Sequence, residues 1–269
     1  MSIVYAEVIG DPIKHSKSPL IHGFWLKKLG IAADYRACHV TPDQLPDYIA
    51  SRKNDPLWRG CNVTLPHKVA VMDLVADPGG VRDSIGAMNT LLPRPDGLMG
   101  SNTDAGGFLM PIMDVPLEGA SVIVVGSGGA ARAILFALKQ MGAGRVTLLA
   151  RNALKGAALL SRFGLKGEVK PLDAPLPPAS LLVNTSSLGM AGQPAFTPDL
   201  SPLPENAIVY DIVYAPLETP LLRAAEDRGL ETVDGLNMLV GQAALAFEMF
   251  FGVAPPEGCD DELRELLLA

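Results

Sequence analysis

Short runs of β-branched and other apolar residues alternate along this chain with stretches where apolar positions recur at helical spacing, and Gly, Pro, Ser, Asn and Asp punctuate the breaks. Residues 4–10 predict a first strand. Ser18 and Pro19 then read as an N-cap and first-turn pair for a helix to Leu29, which Gly30 ends. A second strand at 34–40 leads into a helix start at Thr41-Pro42-Asp43. A third strand at 60–64 stops before Pro66, and a short helix near 69–75 and a strand at 88–92 close a first block. Residues 100–104 read as a loop and 108–113 as a linking helix. From Ser121 onward, strands at 122–125, 145–149, 180–184, 208–213 and 231–233 alternate with helices. A long apolar helix at 237–251 and a short one at 262–268 finish the chain, with proline-rich surface loops at 171–178 and 194–204. This order is that of an α/β protein with mainly parallel sheets and crossover helices.

One of these strands ends in chemistry. Val122-Ile123-Val124-Val125 breaks into Gly126-Ser127-Gly128-Gly129-Ala130-Ala131 and then opens an apolar helix. That is the dinucleotide fingerprint G-x-G-x-x-G/A between a strand and a helix, with Ala131 in the last position. Gly126 allows the tight turn, and Gly128 lets backbone approach a pyrophosphate. The free N–H groups of the helix start face its charge. Gly126, Ser127, Gly128, Gly129 and Ala130 are therefore the candidate cofactor cradle. An NAD site usually carries Asp or Glu at the end of the next strand. Here that end reads Ala150-Arg151-Asn152-Ala153-Leu154-Lys155. Arg151 and Lys155 suit a 2′-phosphate, and Asn152 can donate to it or cap the following helix, so the cofactor is read as NADP.

Composition narrows the setting. A chain of 269 residues has room for two modest domains. Because the cofactor unit starts near residue 121, a complete α/β block precedes it and is expected to hold the substrate. The net charge of −7, with scattered basic residues, offers little attraction to nucleic acid or an anionic membrane. No apolar run reaches spanning length, and the first residues lack a basic leader with an apolar core. Cys38, Cys61 and Cys259 are widely spaced and suit reduced thiols in a cytoplasmic protein. His15, His22, His39 and His67 lack metal-ligand spacing, so no metal is expected.

Ligands in α/β folds gather at the carboxyl ends of strands. The polar clusters of the first block fall there, at 10–18, at 62–68 and at Asn89-Thr90. Ser16 and Ser18 are explained by a turn and a cap, and equally by a carboxylate bound at a helix start. Asn62 and Thr64, two apart, face one side of a strand, which is unusual in a buried parallel strand unless something polar meets them. Lys68 follows within reach of a hydroxyl, although a solvated lysine is the commoner explanation. Asp104 fits a helix start as well as a site.

As an ordered set these segments are more specific. Val8-Ile9-Gly10-Asp11-Pro12-Ile13-Lys14-His15-Ser16-Lys17-Ser18-Pro19, Asn62-Val63-Thr64-Leu65-Pro66-His67-Lys68, Met88-Asn89-Thr90 and Gly100-Ser101-Asn102-Thr103-Asp104 precede the glycine loop. Asn184-Thr185-Ser186-Ser187-Leu188-Gly189-Met190, Asp211-Ile212-Val213-Tyr214 and Gly235-Leu236-Asn237-Met238-Leu239-Val240-Gly241-Gln242-Ala243 follow it. The chain resembles the shikimate dehydrogenases. The resemblance implies an N-terminal α/β substrate domain at 1–103, completed by 237–269, and a Rossmann-like NADP domain at 104–236. It implies reversible NADP-linked interconversion of shikimate and 3-dehydroshikimate, a step in aromatic amino-acid (chorismate) biosynthesis.

By the same resemblance, Ser16, Ser18 and Tyr214 hold the substrate carboxylate, and Thr64, Asn89, Asp104 and Gln242, with help from Asn62, orient the ring hydroxyls. Ile212 and Gly235 lie by the nicotinamide. Lys68, with Asp104, is the candidate catalytic residue. An ordinary lysine ammonium is a poor base at neutral pH, so proton transfer and electrostatic stabilisation of an alkoxide are both open. A homodimer is compatible with the resemblance. Gly23, where relatives often have Asn, and Leu245, at a commonly polar position, leave room for a quinate-acting paralogue or one with relaxed cofactor choice. A methylenetetrahydrofolate dehydrogenase-like enzyme is disfavoured by Ser16, Ser18 and Gln242. A non-catalytic NADP-binding sensor is disfavoured by Lys68 with Asp104.

Overall fold

The computed structural model describes residues 3–269. The chain divides into two compact units, Met1–Thr103 with Val240–Ala269, and Asp104–Leu239.

In the first unit, β1 (Val4–Gly10) lies between β2 (Ala33–His39) and β3 (Trp58–Val63), parallel to both. A hairpin of β4 (Thr90–Arg94) and β5 (Gly97–Ser101) continues the sheet antiparallel, giving the order β2-β1-β3-β4-β5. The region expected to be a loop at 100–104 thus begins inside a strand. The signal was weak because Pro93, Gly97 and Gly100 interrupt the alternation, and the strand sits at a sheet edge, where such residues are tolerated. Helices α1 (Ser18–Lys28) and α2 (Leu45–Arg52) connect the parallel strands. α1 carries Trp25 into an aromatic core with Phe247 at 5.4 Å between ring centroids. The segment near 69–75 is a 3₁₀ helix, Ala70–Leu74, and a short helix α3 (Val81–Ser84) precedes β4.

The second unit is doubly wound. After α4 (Asp104–Leu109) and the 3₁₀ turn Met110–Ile112 come β6 (Ser121–Val125), α5 (Gly129–Gln140), β7 (Arg145–Leu149), α6 (Ala153–Phe163) and β8 (Gly167–Lys170). Then follow β9 (Leu181–Asn184), β10 (Ile208–Asp211), α7 (Pro220–Glu226) and β11 (Glu231–Val233). All six strands are parallel, in the order β11-β10-β9-β6-β7-β8. The four central strands, β6, β7, β9 and β10, are buried on both faces, which is why they read as nearly continuous apolar runs. The strand order reverses beside β6, the switch point where such folds bind ligands. α8 (Gly235–Phe251) and α9 (Asp260–Leu268) end the chain. Among the described residues no helix is long and apolar enough to cross a membrane.

Candidate active site

Two helix starts differ from expectation in a way that matters for the site. α1 begins at Ser18 with Lys17 in the cap position and no side-chain cap, so Ser18 is not the N-cap. Its side chain is buried in the first turn, and Ser16 Oγ accepts the Ser18 N–H at 3.3 Å. α2 likewise begins after Gln44, while Thr41 spends its hydroxyl on Asp43. A Ser that does not cap is free for other work, and the linking helix begins four residues early, with Asp104 as its first residue.

The loops that carry Ser16, Ser18, Thr64 and Lys68 are fixed to each other through backbone. Thr64 N–H donates to the Ile9 carbonyl at 2.9 Å, and Asp11 N–H donates to the Leu65 carbonyl at 3.0 Å. Gly10 makes this approach possible: a Cβ there would lie 2.5 Å from Thr64 Cγ2 and 2.9 Å from Leu65 O. His67, buried and not anticipated from the sequence, places a ring nitrogen 2.6 Å from the Val40 carbonyl. The adjoining Lys68 carbonyl accepts Met88 N–H at 2.7 Å, so the lysine sits on a loop tied to the end of β2 on one side and to the β4 approach on the other.

A buried polar network adjoins these loops. Asn62, Asn89, Thr90, Thr103 and Gln242 are all buried. Asn62 Nδ2 donates to the Asn89 carbonyl and to Thr90 Oγ1, both at 3.3 Å, and Thr90 Oγ1 donates to Asn89 Oδ1 at 3.0 Å. Thr103 N–H donates to Asn89 Oδ1 at 2.7 Å. Asn89 Nδ2 reaches Thr103 Oγ1 at 2.9 Å and Gln242 Oε1 at 3.5 Å. The structure thus brings Asn62, Asn89 and Gln242 together although Gln242 is far along the chain. Both Asn62 amide hydrogens are engaged within the network, which makes it a support for Asn89 more than a free donor. Thr90 was read as part of a polar cluster but given no role, and Thr103 was given none, because a threonine on or beside a strand carries no distinguishing mark.

In the second unit the glycine loop has the required shape. Gly126 has φ +106°, a backbone region that side chains rarely adopt, and its Cβ would meet Thr185 Oγ1 at 2.8 Å. Gly128 caps α5 without a side chain, and nothing lies within 4 Å of where its Cβ would be, so Gly128, Gly129 and Ala130 open a helix start with room for a phosphate. Ala131 is fully buried, as close helix–strand packing requires. Asn152 caps α6, its Oδ1 accepting Lys155 N–H at 2.9 Å. Arg151 and Lys155 are exposed on the same turn. These features fit a dinucleotide carrying an extra phosphate.

Tyr214 and Ile212 follow β10 directly, and Gly235 opens α8. A Cβ on Gly235 would fall 2.5 Å from the Ile212 carbonyl and 2.4 Å from that of Val213, so these two segments touch through backbone. The Tyr214 hydroxyl is pushed up by burial. Among the described residues no group of three or more His, Cys, Asp or Glu is placed to hold a metal ion.

Residues 8–91 match the family profile described as the shikimate dehydrogenase substrate binding domain, and 235–260 match the shikimate 5'-dehydrogenase C-terminal domain. The shikimate dehydrogenase (NADP(+)) of Sphingopyxis alaskensis is 66% identical over 266 residues, covering 98% of this chain and 97% of its own. That of Sinorhizobium fredii is 42% identical over 98% of this chain and 94% of its own. The crystal structure of shikimate 5-dehydrogenase from Thermus thermophilus, in complex with NADP(H) and shikimate, superposes with a TM-score of 0.87 at 35% identity, covering 98% of this chain and all (100%) of that one. The ligand-free 5-ketofructose reductase of a Gluconobacter strain superposes equally well, with a TM-score of 0.88 at 29% identity over 98% of both chains. Fold likeness alone therefore does not separate these two activities. Sequence identity across nearly the full length does, and the chain belongs to the shikimate dehydrogenase family.

Proposed function

We propose that this protein interconverts shikimate and 3-dehydroshikimate with NADP(H) as its redox partner. The observation that carries the reading is the network joining Asn62, Thr90, Asn89 and Gln242 in the same unit as Ser16, Ser18 and Thr64. Buried amides and hydroxyls in that number suit a small polyhydroxylated ring, and the two serines suit its carboxylate. The substrate domain is read as 1–103 completed by 237–269, and the NADP domain as 104–236.

Bound at the glycine loop and beside Arg151, Asn152 and Lys155, NADP+ supplies the acceptor for a hydride from the carbinol carbon. The chain's own residues do the rest. Ser16, Ser18 and Tyr214 hold the carboxylate, and Thr64, Asn89, Asp104 and Gln242 orient the hydroxyls. Lys68 takes the hydroxyl proton as the C–H bond breaks and returns it in the reverse direction. An ammonium held at that oxygen instead stabilises the alkoxide, and the pH profile of turnover distinguishes the two. Ile212 and Gly235 shape the nicotinamide end through backbone.

The test is nicotinamide reduction by the purified protein with shikimate or quinate crossed against NADP and NAD. Turnover chiefly with shikimate and NADP is the expected result, and preference for quinate or NAD would move the protein to a paralogous activity. Lys68→Ala should lose nearly all turnover while still binding cofactor, and a variant keeping most of its kcat would end the assignment. Free thiols at Cys38, Cys61 and Cys259 support a cytoplasmic setting. A homodimer is compatible with this reading, and sedimentation would settle it.

A further inference from the structure

Tyr35, to which none of the roles above is given, sits at the start of the amide network. It lies in β2, is buried, and its hydroxyl reaches Asn62 Oδ1 at 2.6 Å. The direction of that hydrogen bond follows from its neighbours. Asn62 Nδ2 rests on the Asn89 carbonyl, which can only accept, so Oδ1 faces Tyr35 and the phenol donates. Asn89 is oriented independently, because a backbone N–H from Thr103 fixes its Oδ1. Donors therefore run one way, from Tyr35 to Asn62, on to Thr90 and Asn89, and finally to Gln242 Oε1.

The ring that carries this hydroxyl is held flat against His22, with centroids 3.9 Å apart and planes 1° from parallel. His22 is fully enclosed, and among the described residues neither ring nitrogen has a hydrogen-bond partner. Burial pulls its pKa down to about 3, so it stays neutral and serves as an aromatic platform. Trp25 meets the same imidazole edge-on at 5.7 Å.

We propose that Tyr35 is a positioning residue for the substrate, its hydroxyl fixing the direction of the Asn62–Thr90–Asn89–Gln242 network on the ring-hydroxyl side. This rests on the shikimate reading of the site. It makes substrate affinity depend on a side chain that touches no substrate atom, since without the phenol the first amide of the network loses the donor that fixes its oxygen.

Tyr35→Phe keeps the ring and its stack and removes the oxygen. The KM for shikimate should rise about five- to tenfold, the equivalent of one neutral hydrogen bond, with kcat and the KM for NADP within about twofold of the parent. Calorimetric titration of shikimate without cofactor should show the same loss. In a cycle with Asn62→Ala, the double variant should lose less than the product of the single losses. An unchanged KM for shikimate would overturn the proposal, as would strictly multiplicative losses. A fall in kcat with KM constant, tracking lost melting temperature, would mark Tyr35 as merely structural and also overturn it. A wild-type protein that neither turns over nor binds shikimate would instead remove the functional reading beneath it, a result visible before any variant is made.

Discussion

The carboxylate that ends β10 offers the sharpest test of how the second unit holds its loops. Asp211 is fully buried and accepts from Asn184 Nδ2 at 2.9 Å, Val213 N–H at 3.1 Å and Thr219 Oγ1 at 2.7 Å. Thr219 in turn caps α7, taking Leu222 N–H at 3.3 Å, and Asn184 Oδ1 takes the Ser186 hydroxyl at 2.7 Å. One side chain thus ties the turn through Ile212 to the loop after β9 and to the start of α7. Asp211→Ala strands three buried donors, each costing about 1–3 kcal/mol before water or relaxation relieves it, so a net loss of about 3–5 kcal/mol is expected. At about 2–4 °C per kcal/mol, that lowers the melting temperature by roughly 6–20 °C. Asp211→Asn keeps the oxygen that serves Asn184 and Val213, and its new NH₂ can donate to Thr219 Oγ1. Its loss should be about 1 kcal/mol.

Differential scanning calorimetry is the assay, because a chain of two units need not melt in one step. An Asp211→Ala variant melting within about 2 °C of the parent, or indistinguishable from Asp211→Asn, would refute the reasoning. A pH dependence sharpens it. Burial pushes the Asp211 carboxyl above the usual carboxylate range, against the pull of its three donors. Protonation therefore favours the folded state, and this contribution is complete below about pH 4 and lost as the pH rises through the folded value. The parent should gain stability relative to Asp211→Asn as the pH falls from neutral toward 4.

Three further outcomes follow from single contacts. Gly126→Ala forces a Cβ to within 2.8 Å of Thr185 Oγ1 at φ +106°, and should raise the KM for NADP by about tenfold or more while leaving shikimate affinity, read by calorimetry, intact. Arg151→Ala and Lys155→Ala should each lower the ratio of kcat/KM with NADP to that with NAD by about tenfold or more, the worth of a charge-assisted hydrogen bond, and an unchanged ratio would remove them from the 2′-phosphate. Gly23 sits inside α1 with nothing within 4 Å of a Cβ, so Gly23→Ala should stabilise the protein by about 0.5–1 kcal/mol in thermal melts.

What could be read from the chain divides along physical lines. The parallel strands β1, β6, β7, β9 and β10 were legible because burial on both faces demands unbroken apolar runs. The cofactor loop was legible because its glycines are required by backbone geometry, as Gly126 shows, and so leave a pattern. β5 was hidden by Gly97 and Gly100, which weaken alternation at an edge where pairing needs little of it. Ser18 was assigned to a cap because a Ser-Pro pair looks the same whether Ser caps or opens the first turn. Only the backbone, with Lys17 in the cap position, tells the two apart.

The site residues also show why polar chemistry is harder to read than the fold that carries it. Asn62, Asn89 and Gln242 each stand out as buried amides, yet their roles depend on which way each amide is turned. That is settled by groups with no sequence signature: the Asn89 carbonyl, the Thr103 N–H and the Tyr35 hydroxyl. A buried amide is costly unless every hydrogen bond is made, so reversing one unit of the chain would leave its neighbours with two facing acceptors or two facing donors. The network therefore behaves as a single directional object, and under the proposed function its orientation decides whether a donor or an acceptor is offered to each substrate hydroxyl. Two neighbours that superpose equally well on this chain carry the names of different reactions. The shared scaffold therefore does not name the substrate, and the directional network of hydroxyls and amides is where the proposed reading looks for it.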